Sequence, residues 1–403
     1  MTGPGLSPQA ETTTMNYENL SGNWNYPNSI RAGAGRISEL AECCRALGMQ
    51  APLLITDPGL AALPMVAEAE AQCRAAGLRI GLFSNIKGNP TGKNVDDGLA
   101  AYRSGQHDGV IAFGGGSALD AAKAVALMAG QTLELWDFED VGDNWTRVNA
   151  DAVAPIVAVP TTAGTGSEVG RASVITDDEQ HIKKIIFHPK MLPSIVILDP
   201  ALTVGLPPKV TAATGMDALS HNLEALCSPF WHPMAEGIAI EGIRLVCDFL
   251  PRAVAYGQDL EARMQMIVAS SMGATAFQKG LGAMHALAHP LGALFDAHHG
   301  LLNAILMPYV LKANREVISE RIERTARYIG LADTSFDGFL NWVLELRAQV
   351  GIPHSLGEIG IDAGQLEKIG RMATEDPSAG GNPIQFSAVQ YSELCGRAIR
   401  GEL

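Results

Sequence analysis

Over the first half of the chain, short apolar runs alternate with helical stretches, and after Pro200 the strand signals stop. This change of rhythm constrains the fold more than any other feature. PLLITD (52–57) predicts a buried strand, and an Ala- and Glu-rich helix follows around 60–76. RIGLFS (79–84) predicts a second strand, 94–104 a helix, and GVIAF (109–113) a strand running into Gly114–Ser117 and a helix over 118–128. Further strands are expected at 154–159 and 195–199. Strands separated by helices must run parallel, with helices covering both faces of their sheet. Beyond DPALTVGLPP (199–208) the chain is rich in Ala, Leu, Glu and Arg, punctuated by Gly and Pro, which predicts an all-helical domain. The expected architecture is an α/β domain over 1–200, with a Rossmann-like parallel sheet, and an all-α domain over 201–403.

Composition supports two globular cores and narrows the partners. The chain has 403 residues, 47% hydrophobic and 18% charged. Its 43 acidic and 29 basic residues give a net charge of −14, which disfavours nucleic acid and anionic membrane surfaces. No apolar run approaches the roughly 20 residues of a membrane helix. The first twenty residues, MTGPGLSPQAETTTMNYENL, read as a polar tail without the basic start and apolar core of a signal peptide. The six cysteines form no C-x-x-C pair and read as reduced thiols. A cytoplasmic protein is expected.

Histidine placement carries the strongest chemical signal. Four of the ten histidines fall between 285 and 299. Asp217 and His221 lie four apart on a predicted helix, so both side chains share one face and reach one point. His285 and His289 repeat that spacing, and His298-His299-Gly300 follows a Pro/Gly-punctuated bend where another imidazole can return. One carboxylate with imidazoles suits Fe²⁺, Zn²⁺, Mn²⁺ or Co²⁺ rather than Ca²⁺ or Mg²⁺.

Two loops have the composition to hold phosphate. Gly114-Gly115-Gly116-Ser117 joins a strand to a helix, where close backbone approach and free N–H groups favour a pyrophosphate; a tight turn alone is the alternative. PTTAGTGSE (160–168) follows a second strand with small hydroxyl residues suited to phosphate, ribose or base. Asp57 closes the first strand, where a carboxylate can bind adenosine ribose hydroxyls and repel a 2′-phosphate, favouring NAD over NADP. A helix N-cap is the alternative role.

Together GGGSALDAAKA (114–124), PTTAGTGSEV (160–169), LDPALTVGLPP (198–208), ATGMDALSH (213–221) and AMHALAHPLGA…HHGLLNAILMPYV (283–310) resemble the iron-containing (group III) alcohol dehydrogenase family. The resemblance runs from about Asn25 to the mid-300s. It implies a dehydroquinate-synthase-like fold with NAD and metal in the cleft between domains, and a homodimer whose segment near 20–35 crosses to the partner. By position, Asp217, His221, His285 and His299 match the metal ligands, and His289 a catalytic histidine near nicotinamide and substrate. His298 has no matching role and is taken as structural. Gly115, Gly116, Ser117, Asp120, Thr161, Thr162 and Thr165 match dinucleotide contacts, and Lys184 a lysine near the cofactor.

One departure bears on substrate. The chain reads Gly170-Arg171-Ala172 where the lactaldehyde-reductase branch is apolar and amide-bearing. Pointing inward, the Arg171 guanidinium would suit a carboxylate, phosphonate or sulfonate; an ion pair with one of the many acids is the alternative. The implied enzyme is an NAD-dependent alcohol dehydrogenase acting on a small alcohol or aldehyde, with Fe²⁺, or Zn²⁺, as Lewis acid and His289 relaying the proton. A zinc-dependent polyol dehydrogenase of glycerol type and a non-catalytic nucleotide-binding regulator of the same fold are the competing readings. Filled ligand positions argue against a metal-free maleylacetate reductase, and scarce basic groups against a dehydroquinate-synthase-type lyase.

Overall fold

The computed structural model of the chain describes residues 28–180 and 182–403. Its strands are β1 (Ser29–Ala32), β2 (Pro52–Ile55), β3 (Gly81–Phe83), β4 (Gly109–Gly114), β5 (Ile156–Pro160), β6 (Ala172–Asp177), β7 (Ile182–Phe187) and β8 (Ile195–Leu198). Six of them form one parallel sheet in the order β1-β8-β5-β4-β2-β3. The helices of this half are α1 (Leu40–Ala46), α2 (Pro58–Ala61), α3 (Pro64–Ala75), α4 (Gly92–Ser104) and α5 (Gly116–Met128).

The strands read as unbroken apolar runs because both faces are covered. Leu53, Ile55, Val110 and Ala112 pack with Val95, Leu99 and Leu119 of α4 and α5. Their alternate neighbours Leu54, Ile111 and Phe113 pack on the other side with Leu40, Val66 and Ala69 of α1 and α3. The helix expected over 60–76 divides in two, because Pro64 cannot continue a helix and instead opens α3. Three strands were not expected. β1 is a short edge strand paired with β8. β6 and β7 form an antiparallel hairpin outside the main sheet; β6 is buried only at alternate positions, a weaker signal than an interior strand gives.

From Pro208 onward only helices follow: α6 (Pro208–Cys227), α7 (Pro233–Ala255), α8 (Leu260–Ala276), α9 (Ala283–Phe295), α10 (His299–Tyr328), α11 (Phe336–Gln349), α12 (Leu366–Glu375) and α13 (Ala388–Arg400), with short 3₁₀ turns between them. α6 is buried on every side from Thr211 to Cys227, since α7, α8 and α10 all pack against it. Polar groups on such a helix must pair with one another or bind something.

The carboxyl ends of β2, β4 and β5 face the helical part across a cleft of about 1060 Å³, lined by Asp57, Gly115, Thr161, Thr214 and His298 among others. Crevices at strand carboxyl ends are where open α/β sheets bind ligands. Asn89 and Asp296, both with left-handed backbone (φ 53° and 50°), bridge the two sides: Asn89 Nδ2 donates to Asp296 Oδ1 over 2.9 Å.

Candidate metal and cofactor site

Three helices meet at a cluster of one carboxylate and three imidazoles. α6 supplies Asp217 and His221, α9 supplies His285, and His299 opens α10. Each offers one ligand atom, and these atoms all lie within 4.8 Å of one another. Hydrogen bonds fix which imidazole nitrogens face inward. His221 Nδ1 sits 3.2 Å from the Gly164 carbonyl oxygen, and His285 Nδ1 lies 2.6 Å from Glu224 Oε2. Each ring thus presents Nε2 to the centre. Burial lowers His221 to about 4 and His299 well below the ordinary imidazole value. Both are therefore neutral, the form that ligates metal.

Asn303, one turn beyond His299, completes the centre. Its Nδ2 lies 2.8 Å from Asp217 Oδ1, 3.1 Å from His285 Nε2 and 3.2 Å from His299 Nε2, while its Oδ1 is buried with no partner. A donor aimed at three convergent lone pairs marks a locus that favours positive charge. Gly300 is required here, since a Cβ would lie 2.6 Å from the Ala213 carbonyl oxygen and 3.0 Å from Asp217 Cβ. The donor set fits Fe²⁺ or Zn²⁺.

The sheet side fits a dinucleotide. Gly115, Gly116, Ser117, Thr161, Thr162 and Thr165 all line the cleft. Gly115 caps α5 with no side chain, leaving its first N–H groups open toward the cleft. A Cβ on Gly116 would collide with the Thr165 side chain, so the loop closes only around glycine. Thr161 Oγ1 is buried without a partner. Asp57 caps α2 by accepting from Leu60 N at 3.0 Å, and it also lines the cleft.

One cofactor expectation shifts by a single residue. Lys184 turns away from the cleft and pairs with Asp177 at 2.9 Å, over the Trp136 ring. Successive strand residues face opposite ways, so it is Lys183 that enters the site, where its Nζ donates to Asn89 Oδ1 at 2.8 Å. Burial lowers Lys183 to about 8. Asp120 lines the inner cavity beside Gly116, Ser117 and Thr165 and is held there by hydrogen bonds: it accepts from Ser167 Oγ at 2.5 Å and Val174 N at 3.0 Å, and Lys123 Nζ is 3.3 Å away.

A cavity of about 230 Å³ joins the metal cluster to the hairpin; His221, His285, His289, His299, Lys183 and Arg171 all line it. His289 Nδ1 lies 2.8 Å from Asp376 Oδ2. Burial works to raise Asp376, and His289 together with hydrogen bonds from Ser378 outweighs it and holds the carboxyl low. His298 caps α10 through Leu301 N at 3.3 Å. Sequence reasoning missed Glu224, Asn303 and Asp376. Glu224 lies three and seven residues beyond His221 and Asp217, and Asn303 four beyond His299, so helical spacing could have found both. Asp376 stands in a turn remote in sequence, with no periodic signal.

Comparison with known proteins decides the lineage. Residues 27–200 match the profile described as iron-containing alcohol dehydrogenase, and 211–399 match its C-terminal counterpart. The chain belongs to the iron-containing alcohol dehydrogenase family. It is 38% identical over 379 residues to the 4-hydroxybutyrate dehydrogenase of Cupriavidus necator, covering 92% of this chain and 97% of the relative. The crystal structure of a 1,3-propanediol oxidoreductase superposes with a TM-score of 0.89 at 35% identity, covering 94% of this chain and 99% of that one. The sulfoacetaldehyde reductase of Bifidobacterium kashiwanohense, solved with NAD⁺, gives 0.84 at 29% identity, covering 94% and 99%. This iron-containing alcohol dehydrogenase is thus a metal-dependent, NAD-linked oxidoreductase of alcohols and aldehydes.

Proposed function

We propose that this enzyme interconverts a small anionic hydroxy compound and its aldehyde with NAD(H), using ferrous iron held by Asp217, His221, His285 and His299. One observation carries the reading: a single cavity holds the metal-facing imidazoles at one end and Arg171 at the other. The guanidinium donates no hydrogen bond among the described residues and stacks 5.4 Å from the Phe187 ring centre. A half-buried cation without a hydrogen-bond partner favours an anionic ligand. The names of two relatives, a 4-hydroxybutyrate dehydrogenase and a sulfoacetaldehyde reductase, describe substrates of this kind.

When bound, the nicotinamide carries the hydride, and the cation as Lewis acid favours alkoxide or polarises carbonyl. His289 takes up or delivers the hydroxyl proton, with Asp376 holding its Nδ1 so that the other ring nitrogen is free for exchange. Gly115, Gly116, Ser117, Thr161, Thr162 and Thr165 hold the dinucleotide, and Asp57 selects NAD over NADP. Zinc is the alternative metal. A cytoplasmic homodimer is also proposed. The segment assigned to the partner lies outside the described residues up to residue 27, and the exposed edge strand β1 supports the pairing.

The test is NADH oxidation by protein loaded anaerobically with ferrous iron, comparing ω-oxo carboxylates with neutral aldehydes of equal length. A kcat/KM advantage of about tenfold or more for the acids is expected, lost in Arg171→Met. Equal values for both series in the wild type would overturn the reading.

A further inference from the structure

Arg171 stands where two cavities meet. The inner one is the site just described. The outer, about 200 Å³, is walled by Val169, Phe187, Leu192, Ala274 and Gln278. Gly170, Arg171, Ala172 and Phe277 face both chambers. Phe187, over whose ring the guanidinium stacks, faces only the outer one. The guanidinium therefore borders both chambers and stacks on a wall of the outer one. The outer walls are otherwise largely apolar, so a carboxylate on the guanidinium would have a hydrocarbon chain as its natural companion.

Resting on the reading that the substrate is anionic, we propose that the outer chamber is the carboxylate subsite. The carbon chain passes between Arg171 and Phe277, and the preferred substrates are ω-hydroxy and ω-oxo carboxylates long enough to span both chambers. Arg171 and Phe277 form the doorway, and Leu192 and Gln278 limit chain length. An acid too short to span both chambers would not present its carbonyl beside His285 and His289 while holding the guanidinium. Each added methylene therefore improves binding until the chain spans the partition.

The experiment is a chain-length series of ω-oxo carboxylates with NADH and the ferrous enzyme. In the wild type, kcat/KM should rise about tenfold per productive methylene to an optimum beyond the shortest members, the scale of methylene discrimination in apolar pockets. Leu192→Trp, which fills the outer chamber, should move that optimum to shorter acids. Gln278→Trp fills it from another wall and should do the same, so a single variant that fails to fold does not decide the matter. Optima unchanged in both variants would overturn the subsite while leaving the anionic-substrate reading intact. Wild-type enzyme indifferent to the carboxylate at every length would instead sink that reading, and the subsite with it.

Discussion

His285 Nδ1 lies 2.6 Å from Glu224 Oε2, and the same carboxylate also accepts from the backbone N–H groups of Gly282 and Met284, at 2.9 and 2.7 Å. One side chain of α6 therefore fixes both the start of α9 and the ring of a metal ligand that α9 carries. Burial resists charging His285, but Glu224, joined by Asp217 and Asp376, outweighs it, so the ring is raised above its ordinary value. Glu224→Gln leaves the volume unchanged but removes the anionic acceptor. Metal affinity should fall roughly 10- to 100-fold, measured by chelator competition. Wild-type affinity in this variant would show that the bond orients nothing.

Lys183 gives the fold a pH dependence of its own. Burial lowers it from 10.5 to about 8; Asp120, Asp217, Asp296 and Asp376 offset part of that cost. Burial holds nearby His298 and His299 below the ordinary imidazole value. Because the folded pKa lies below the unfolded one, the unfolded chain binds more protons between about 8 and 10.5. Stability of the metal-free protein should therefore rise with pH across that window. Lys183→Met should flatten the slope and stabilise the protein at neutral pH, by up to about 3 kcal/mol. Denaturant midpoints recorded across the window check this, and parallel slopes for the two proteins would contradict it.

Asp57 does two jobs that substitution can separate. Asp57→Asn keeps a cap for Leu60 N but removes the charge, so the thermal midpoint should hold while the NADPH-to-NADH ratio of kcat/KM rises about tenfold or more. Asp57→Ala should shift the ratio similarly and also cost about 1 kcal/mol of stability. Asp57→Asn retaining full preference for NADH would assign the residue to capping alone.

Much of the site was legible because its signals are local. Asp217 and His221 sit one helical turn apart, and that spacing points both side chains to one place whatever surrounds the helix. The Gly-rich turn between β4 and α5 is likewise written in adjacent residues. The lysine was misassigned because Lys183 and Lys184 are neighbours, and only the pairing of β7 with β6 decides which one enters the cleft. Asp376 was invisible because its partner His289 lies 87 residues away.

The sequence by itself determined the switch from sheet to helices near residue 200, the apolar character of the interior strands and the residue types able to bind a cation. Those follow from short-range periodicity and side-chain chemistry. The tertiary structure decided that α6, α9 and α10 aim four ligand atoms at one point, that Glu224 and Asn303 support them and Asp376 holds His289, and that Arg171 borders the cavity those ligands line. Such outcomes depend on how elements distant in the chain pack, and no local pattern encodes that distance.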